Sequence, residues 1–457
     1  MKIDNGFFLS YLTCKYRAYL LVCGKIAEQH PYDLMLADQK TQFRKTAIGS
    51  LAGVPSTRGF LEAEHTTPSD LNAGAPILLD AIVENEWASF RFDALLRSDK
   101  KPSSGSLHYS PVLFDPDGSV REQKKLLLAF GGHVLEAVHH YAPHDGKIVF
   151  GCPCKTTTVR LTPYYDRLRK ILPDLRAIAD GTSIPTFALN GHCETCGFRV
   201  HCQDKAKADD HLSLLGRMKA KEIQHYAAKG IFTVTQLSYT FRPRRRSKRL
   251  RDRPMPHSLA LQALALRENK TYVIGVPQLP SSPVHVYLDI EGDSNGKRVY
   301  LIGAIVVGPN VDTAYSFWAD GCEEQCTLFE RLLDVVEQYN DFRVFHYGSY
   351  DAHFLKRMKA LTARKEAAEN MIERATNVLS LVHSRIYFPT RTNSLKEIGR
   401  VLGCSWTEPD ASGLNTLVWR YRWEQAGDDQ WKQRLVQYNY EDCLALRRLT
   451  EVIYDIA

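Results

Sequence analysis

The 457-residue sequence contains no uncharged apolar stretch of about 18 residues, the length that would mark a membrane-spanning helix. Its start, Met1-Lys2-Ile3-Asp4-Asn5, lacks the long apolar core of a secretory signal. A cytoplasmic protein is therefore the expectation. There is no P-loop and no Gly-x-Gly-x-x-Gly, so the chain does not carry its own ATP-hydrolysing phosphate loop. No internal repeat is visible. Apolar content of 44% and charged content of 24% are ordinary for a globular protein, and the length suits two or three domains.

Neither sign of charge is scarce, yet the excess is concentrated. Against 52 acidic residues stand 59 Lys and Arg, a net charge of +7. The run Arg242 to Arg253 holds eight basic residues and one acid, and the rest of the chain has 51 of each sign. Arg242, Arg244, Arg245, Arg246, Lys248 and Arg249 are thus candidates for contact with a polyanion such as nucleic acid. A solvated linker would have the same composition, and the two roles are compatible.

The acids form the sharper pattern. Val284 to Gly292 is an apolar strand ending in Asp289-x-Glu291, and strand alternation places both carboxylates on one face. Val299 to Val307 follows as a second strand, and Phe342 to His346 as a third, leading into Asp351. Gln437 to Leu446 reads as a helix with Tyr438 and Asp442 one turn apart on one side. Converging carboxylates are what a pair of divalent cations needs to hydrolyse a phosphodiester.

The order Asp-x-Glu, Asp, Tyr-x-x-x-Asp resembles the DEDD superfamily of 3′–5′ exonucleases in its tyrosine-bearing form, over about residues 284–457. The resemblance implies a ribonuclease H-like fold with Asp289, Glu291, Asp351 and Asp442 as ligands of two Mg²⁺ or Mn²⁺ ions. It implies that Tyr438 orients the attacking water. The segment Asn393 to Gly399 looks like that family's helix between its second and third acidic motifs. Tyr347 departs from the pattern, where many relatives carry Asn.

Among the 11 cysteines, Cys193-x-x-Cys196-x5-Cys202 has metal-ligand spacing. Cys14, in an amphipathic helix spanning Phe8 to Leu20, is the expected fourth ligand. The arrangement resembles RecB-like nucleases with an iron–sulfur cluster, such as Cas4 and the AddB nuclease domain, which implies a [4Fe–4S] cluster on these four residues. Zinc, alone on the cysteines or with His192 or His201, is the competing reading. These nucleases belong to the PD-(D/E)xK class. A strand over Ala88 to Leu96 supplies Asp93 as the first acid. The next strand, His108 to Pro116, has no acid-x-Lys pair, so the catalytic motif reads as degenerate.

Residues 212–240 resemble a helix-hairpin-helix, whose backbone N–H groups would face phosphates. The whole layout resembles the TM0106-type RecB-like nuclease family, which implies an α/β multidomain chain. Residues 1–210 would form a PD-(D/E)xK (RecB-like) α/β fold. Residues 211–283 would form a helical, basic connector. Residues 284–457 would form a ribonuclease H-like exonuclease domain with a mixed sheet. The function expected is metal-dependent 3′–5′ exonuclease action on DNA, or on RNA, in repair, recombination or defence. The alternative is a non-catalytic nucleic-acid-binding module serving a helicase or recombination partner in trans.

Overall fold

The structure is a computed structural model. It describes residues 1–52, 60–62, 71, 74–98, 107–216, 218–243, 256–293, 298–409 and 412–456. Arg244, Arg245, Arg246, Lys248 and Arg249 lie outside the described residues. Two compact units emerge: residues 1–187 with 191–200, and residues 188–190 with 201–457. Residues 211–283 belong to the second.

The first unit is built on a six-stranded mixed sheet. Its strands are β1 (Phe60–Glu62), β2 (Ile77–Leu79), β5 (Ala94–Arg97), β6 (Tyr109–Asp115), β7 (Asp145–Phe150) and β8 (Lys155–Arg160), in the order β1-β2-β5-β6-β7-β8. β3 (Ile82–Glu84) and β4 (Ser89–Arg91) make a separate hairpin. Alternation gives the sheet two apolar faces. Leu78, Leu95 and Leu113 pack with Phe8, Phe130 and the helix Glu122–His139, while Ile77, Val112 and Phe114 pack with Ala47 and Leu51 of the helix Pro31–Ala52. A sheet covered on both faces is the α/β solution to burying both sets.

Two sequence expectations fail here. Ala88 to Leu96 is interrupted: β4 pairs with β3 and β5 with β2 in one shared register, and the break falls opposite Asp80, whose backbone is left-handed at φ 53°. Phe8 to Leu20 is not one helix either. Asn5–Thr13 and Lys15–Val22 are separate helices, and Cys14 between them is extended at φ −158° and ψ 111°.

Ahead of its main sheet the second unit carries the short helices Ala220–Ala227, Val234–Ser238 and Leu259–Glu268, sharing a small core around Leu237 and Ala263. A short ribbon of β9 (Tyr272–Val273) and β15 (Ile386–Tyr387) follows. The main sheet has five strands, β10 (Val284–Gly292), β11 (Val299–Gly308), β12 (Val311–Trp318), β13 (Phe342–His346) and β14 (Ala375–Asn377). Their order is β12-β11-β10-β13-β14, antiparallel from β12 to β10 and parallel from β10 to β14. The mixed sheet expected for this half is present.

One face of β10 presents Val286, Leu288 and Ile290 to the helices Gln325–Val336 and Tyr350–Leu361. Tyr287 points to the other face and packs against Leu446 and Leu449 of the C-terminal helix, Asp429–Ile456. By the same alternation Asp289 and Glu291 lie on that second face. Among the described residues, no helix is long and apolar enough to cross a membrane.

Candidate metal centre

The carboxylates of Asp289, Glu291 and Asp442 converge, with one ligand oxygen from each lying within 4.8 Å of the others. β10 delivers the first two, and the C-terminal helix crosses the sheet to deliver the third. Each is tied by an uncharged donor. Asn439 Nδ2 donates to Asp289 Oδ2 at 2.6 Å and to the Asp289 carbonyl at 3.0 Å. Thr416 Oγ1, on the helix Gly413–Ala426, donates to Glu291 Oε2 at 3.1 Å. Trp406 Nε1 donates to Asp442 Oδ1 at 2.7 Å.

Such neutral donors do not cancel the charge. At this spacing two carboxylates repel by about 3 kcal/mol at an effective dielectric near 20. A hydrogen bond to a charged group offsets only about 1.5–3 kcal/mol. The acids respond by holding protons. Burial, then repulsion from Asp442, Glu291 and Asp351, pushes Asp289 well above the carboxylate range. Burial and Asp442 push Glu291 up to about 8. Asp442 rises to about 6, chiefly through burial, opposed by the Trp406 bond and the nearby Lys396 charge. A bound cation would relieve this repulsion, so the donor set and its strain fit a divalent metal.

Asp351 stands a step apart. It is buried beside the equally buried His346, with Nδ1 3.6 Å from its Oδ2. It adds repulsion to Asp289, yet it is not one of the three converging ligands. Tyr438, one turn before Asp442, is buried among the same acids. Burial and the charges of Asp442, Glu291 and Asp289 drive its pKa far upward, so the phenol keeps its proton. Tyr347 donates its hydroxyl to the Asn393 carbonyl at 2.6 Å, fastening the end of β13 to the segment before the helix Leu395–Val401. From that helix, Lys396 Nζ sits 5.3 Å from the Tyr438 ring centre and 5.4 Å from that of Trp406.

Residues 286–454 match the model of the family RNase_H_2, of the RNase_H superfamily. The second unit thus contains an RNase H-like domain. No match is found among curated proteins. An RNase H-like domain with an acidic triad implies a nuclease that acts on nucleic acid with Mg²⁺ or Mn²⁺.

The roles of Asn439, Thr416 and Trp406 were invisible in the motif, because each reaches its acid across the fold. Gly303 carried a faint signal as a glycine inside an apolar strand. It faces Asp289 across the β10–β11 ladder, and a Cβ there would collide with Asn439 Oδ1.

The remaining expected sites divide. Cys14, Cys193 and Cys196 lie in the first unit and Cys202 in the second. Cys193 opens a 3₁₀ turn that closes when the Cys196 N–H donates to the Cys193 carbonyl at 3.3 Å. Gly197 is needed there, since a Cβ would strike the Glu28 carbonyl. Asp93 is not an open ligand: Oδ2 accepts the Phe114 N–H at 2.8 Å and Lys40 lies 3.4 Å from Oδ1. β6 itself carries no acid-x-Lys pair, as expected, and the lysine that meets its acid comes from elsewhere. Asp115 ends β6, almost fully buried, and Lys124 from the following helix approaches its Oδ1 to 3.3 Å. A strand-based spacing rule misses a lysine that arrives from a helix.

The helical hairpin does not present open N–H groups. The start of the helix Val234–Ser238 is filled by the Thr233 hydroxyl, by Asp210 Oδ2 on Thr235 and by the Asp210 carbonyl on Val234. A phosphate would have to displace a carboxylate there. Arg242 turns its guanidinium onto the carbonyls of Tyr239 and Phe241, at 3.0 and 3.1 Å.

Proposed function

We propose that this protein is a metal-dependent 3′–5′ exonuclease of the tyrosine-bearing DEDD type, acting on DNA or RNA. The convergence of Asp289, Glu291 and Asp442 within 4.8 Å, with Tyr438 one turn before Asp442, carries the reading. Two Mg²⁺ or Mn²⁺ ions held by these acids and Asp351 would activate a water and stabilise the leaving 3′ oxygen. Asn439, Thr416 and Trp406 hold three of the carboxylates in place before metal arrives. Tyr438, protonated at neutral pH, orients the water by hydrogen bonding and does not act as a base.

The cysteines extend the proposal. The resemblance to cluster-bearing RecB-like nucleases favours a [4Fe–4S] cluster on Cys14, Cys193, Cys196 and Cys202, and the spacing alone would suit zinc equally well. Iron, sulfide and zinc analysis of anaerobically purified protein separates the two.

The decisive assay uses 5′-labelled single- and double-stranded DNA and RNA with Mn²⁺ or EDTA. Stepwise shortening from the 3′ end in Mn²⁺ only is the expected result. Cleavage at internal positions, or shortening that persists in EDTA, would overturn it. Binding without cleavage of any substrate would move the reading to a nucleic-acid-binding module.

A further inference from the structure

We propose that a cavity on the outer flank of the C-terminal helix is a seat for an unstacked nucleobase of the strand whose end enters the metal centre. This inference rests on the nuclease reading and deepens it. The cavity has a volume of about 260 Å³. Gln430, Gln433, Arg434, Gln437 and Glu441 line it from one face of the helix at helical spacing, and Thr407 with Glu408 closes the opposite side. Tyr438 lines it too. Because Tyr438 stands one helical turn before Asp442, the cavity adjoins the metal centre through this one residue.

The lining selects a chemical class. Two carboxylates and one guanidinium surround the space, so a phosphate would meet net repulsion. Three carboxamides make it a poor home for an aliphatic group. What fits is a flat, neutral group with donors and acceptors on its edge. Carboxamides supply both kinds of partner. Arg434 is held by Trp431, whose ring centre lies 5.0 Å from the guanidinium carbon, and by Glu408, 3.6 Å from Nε. A fixed guanidinium plane is a stacking platform for an unpaired base. The wall beneath it is rigid as well: Glu441 Oε1 accepts from the Thr407 N–H at 3.0 Å, the Thr407 hydroxyl at 2.5 Å and Gln437 Nε2 at 2.8 Å. This seat would draw one base away from its neighbours while its backbone passes Tyr438.

The test measures binding and turnover with the full chain. AMP, UMP and ribose 5-phosphate are titrated in EDTA, followed by tryptophan fluorescence, against wild type, Arg434→Met and Gln433→Leu. AMP and UMP should bind, ribose 5-phosphate should bind at least about tenfold more weakly, and each variant should lose about tenfold for the nucleotides. In Mn²⁺, the variants should raise KM for a single-stranded oligonucleotide by a similar factor, and by less when its terminal residues are abasic. Equal binding of ribose 5-phosphate, or nucleotide binding unchanged by both variants, would overturn the seat. If the wild type cleaves nothing yet the nucleotide binding follows the variants, the nuclease reading fails and the seat stands. Metal-dependent cleavage with unaltered KM and binding in both variants sinks the seat alone.

Discussion

Among the described residues, two groups of acids sit partly or wholly buried at sheet ends, and their partners differ in kind. In the first unit each acid meets a cation: Asp115 with Lys124, Asp93 with Lys40, and Asp80 with Arg44 and Arg91. In the second unit Asp289, Glu291 and Asp442 are held mainly by an amide, a hydroxyl and an indole. The protein neutralises the first group from within and leaves the second in deficit. An acid cluster tells little on its own. An acid cluster held in geometry by neutral donors, with its carboxylates driven to keep protons, is one prepared for an external cation.

The sharpest way to break the contrast is to remove one acid from each group. Asp289→Ala should lower Mn²⁺-dependent nuclease activity by about 10³-fold with the circular dichroism spectrum unchanged. Asp115→Asn should leave that activity within about twofold, because its acid takes no part in the deficit. Comparable losses in both would place the chemistry in both units. Next in size comes the neutral donor itself. Asn439→Leu should cost about 30-fold in turnover by freeing Asp289, with Mn²⁺ affinity falling alongside. Gly303→Ala should do the same from the opposite side, by forcing the Asn439 amide aside. Wild-type turnover in Asn439→Leu would show that the amide does not position the ligand.

The contrast has a pH dependence. Glu291 at about 8 and Asp442 at about 6 are raised above their unfolded values. Their contribution to metal-free stability is therefore complete below about pH 4 and is lost as pH climbs through 6 to 8. Mn²⁺ competes with those protons, so its stabilisation grows over the same window. Thermal melts should show an Mn²⁺-induced rise in Tm at pH 8.5 larger than at pH 6 by about 3 °C. An equal rise at both would mean that the carboxylates are already ionised in the metal-free protein. The smallest effect belongs to the neutralised group. Lys124→Met strands a buried carboxylate and should destabilise the first unit by about 1 kcal/mol, more at pH 8 than at pH 5, as read by urea unfolding.

How legible this was depended on sequence distance. Asp289 with Glu291, and Tyr438 with Asp442, were visible because strand alternation and helical spacing are local rules. The fate of Asp351 was not, since its partner His346 approaches only when β13 turns into the next helix. The break at Cys14 was hidden because the residues on either side of it read equally well as helix. The break before β5 was not legible, because it falls opposite the left-handed Asp80 on the facing segment. The pairing of Lys124 with Asp115 was not legible, because no local spacing rule links the end of a strand to the helix after it.

The C-terminal helix gathers these roles on one rod of 28 residues. Gln430, Gln433, Arg434, Gln437 and Glu441 line the cavity, Asn439 and Asp442 serve the metal centre, and Tyr438 stands at both. Length changes in this rod cannot be absorbed as they are in a loop. One residue inserted between positions 434 and 438 would rotate everything on its far side by about 100°. It would also shift that part by about 1.5 Å, breaking the alignment between seat and ligands without altering either set of side chains. Substitutions along its outer flank would retune which strand ends are accepted, whereas insertions and deletions between positions 430 and 442 should be purged.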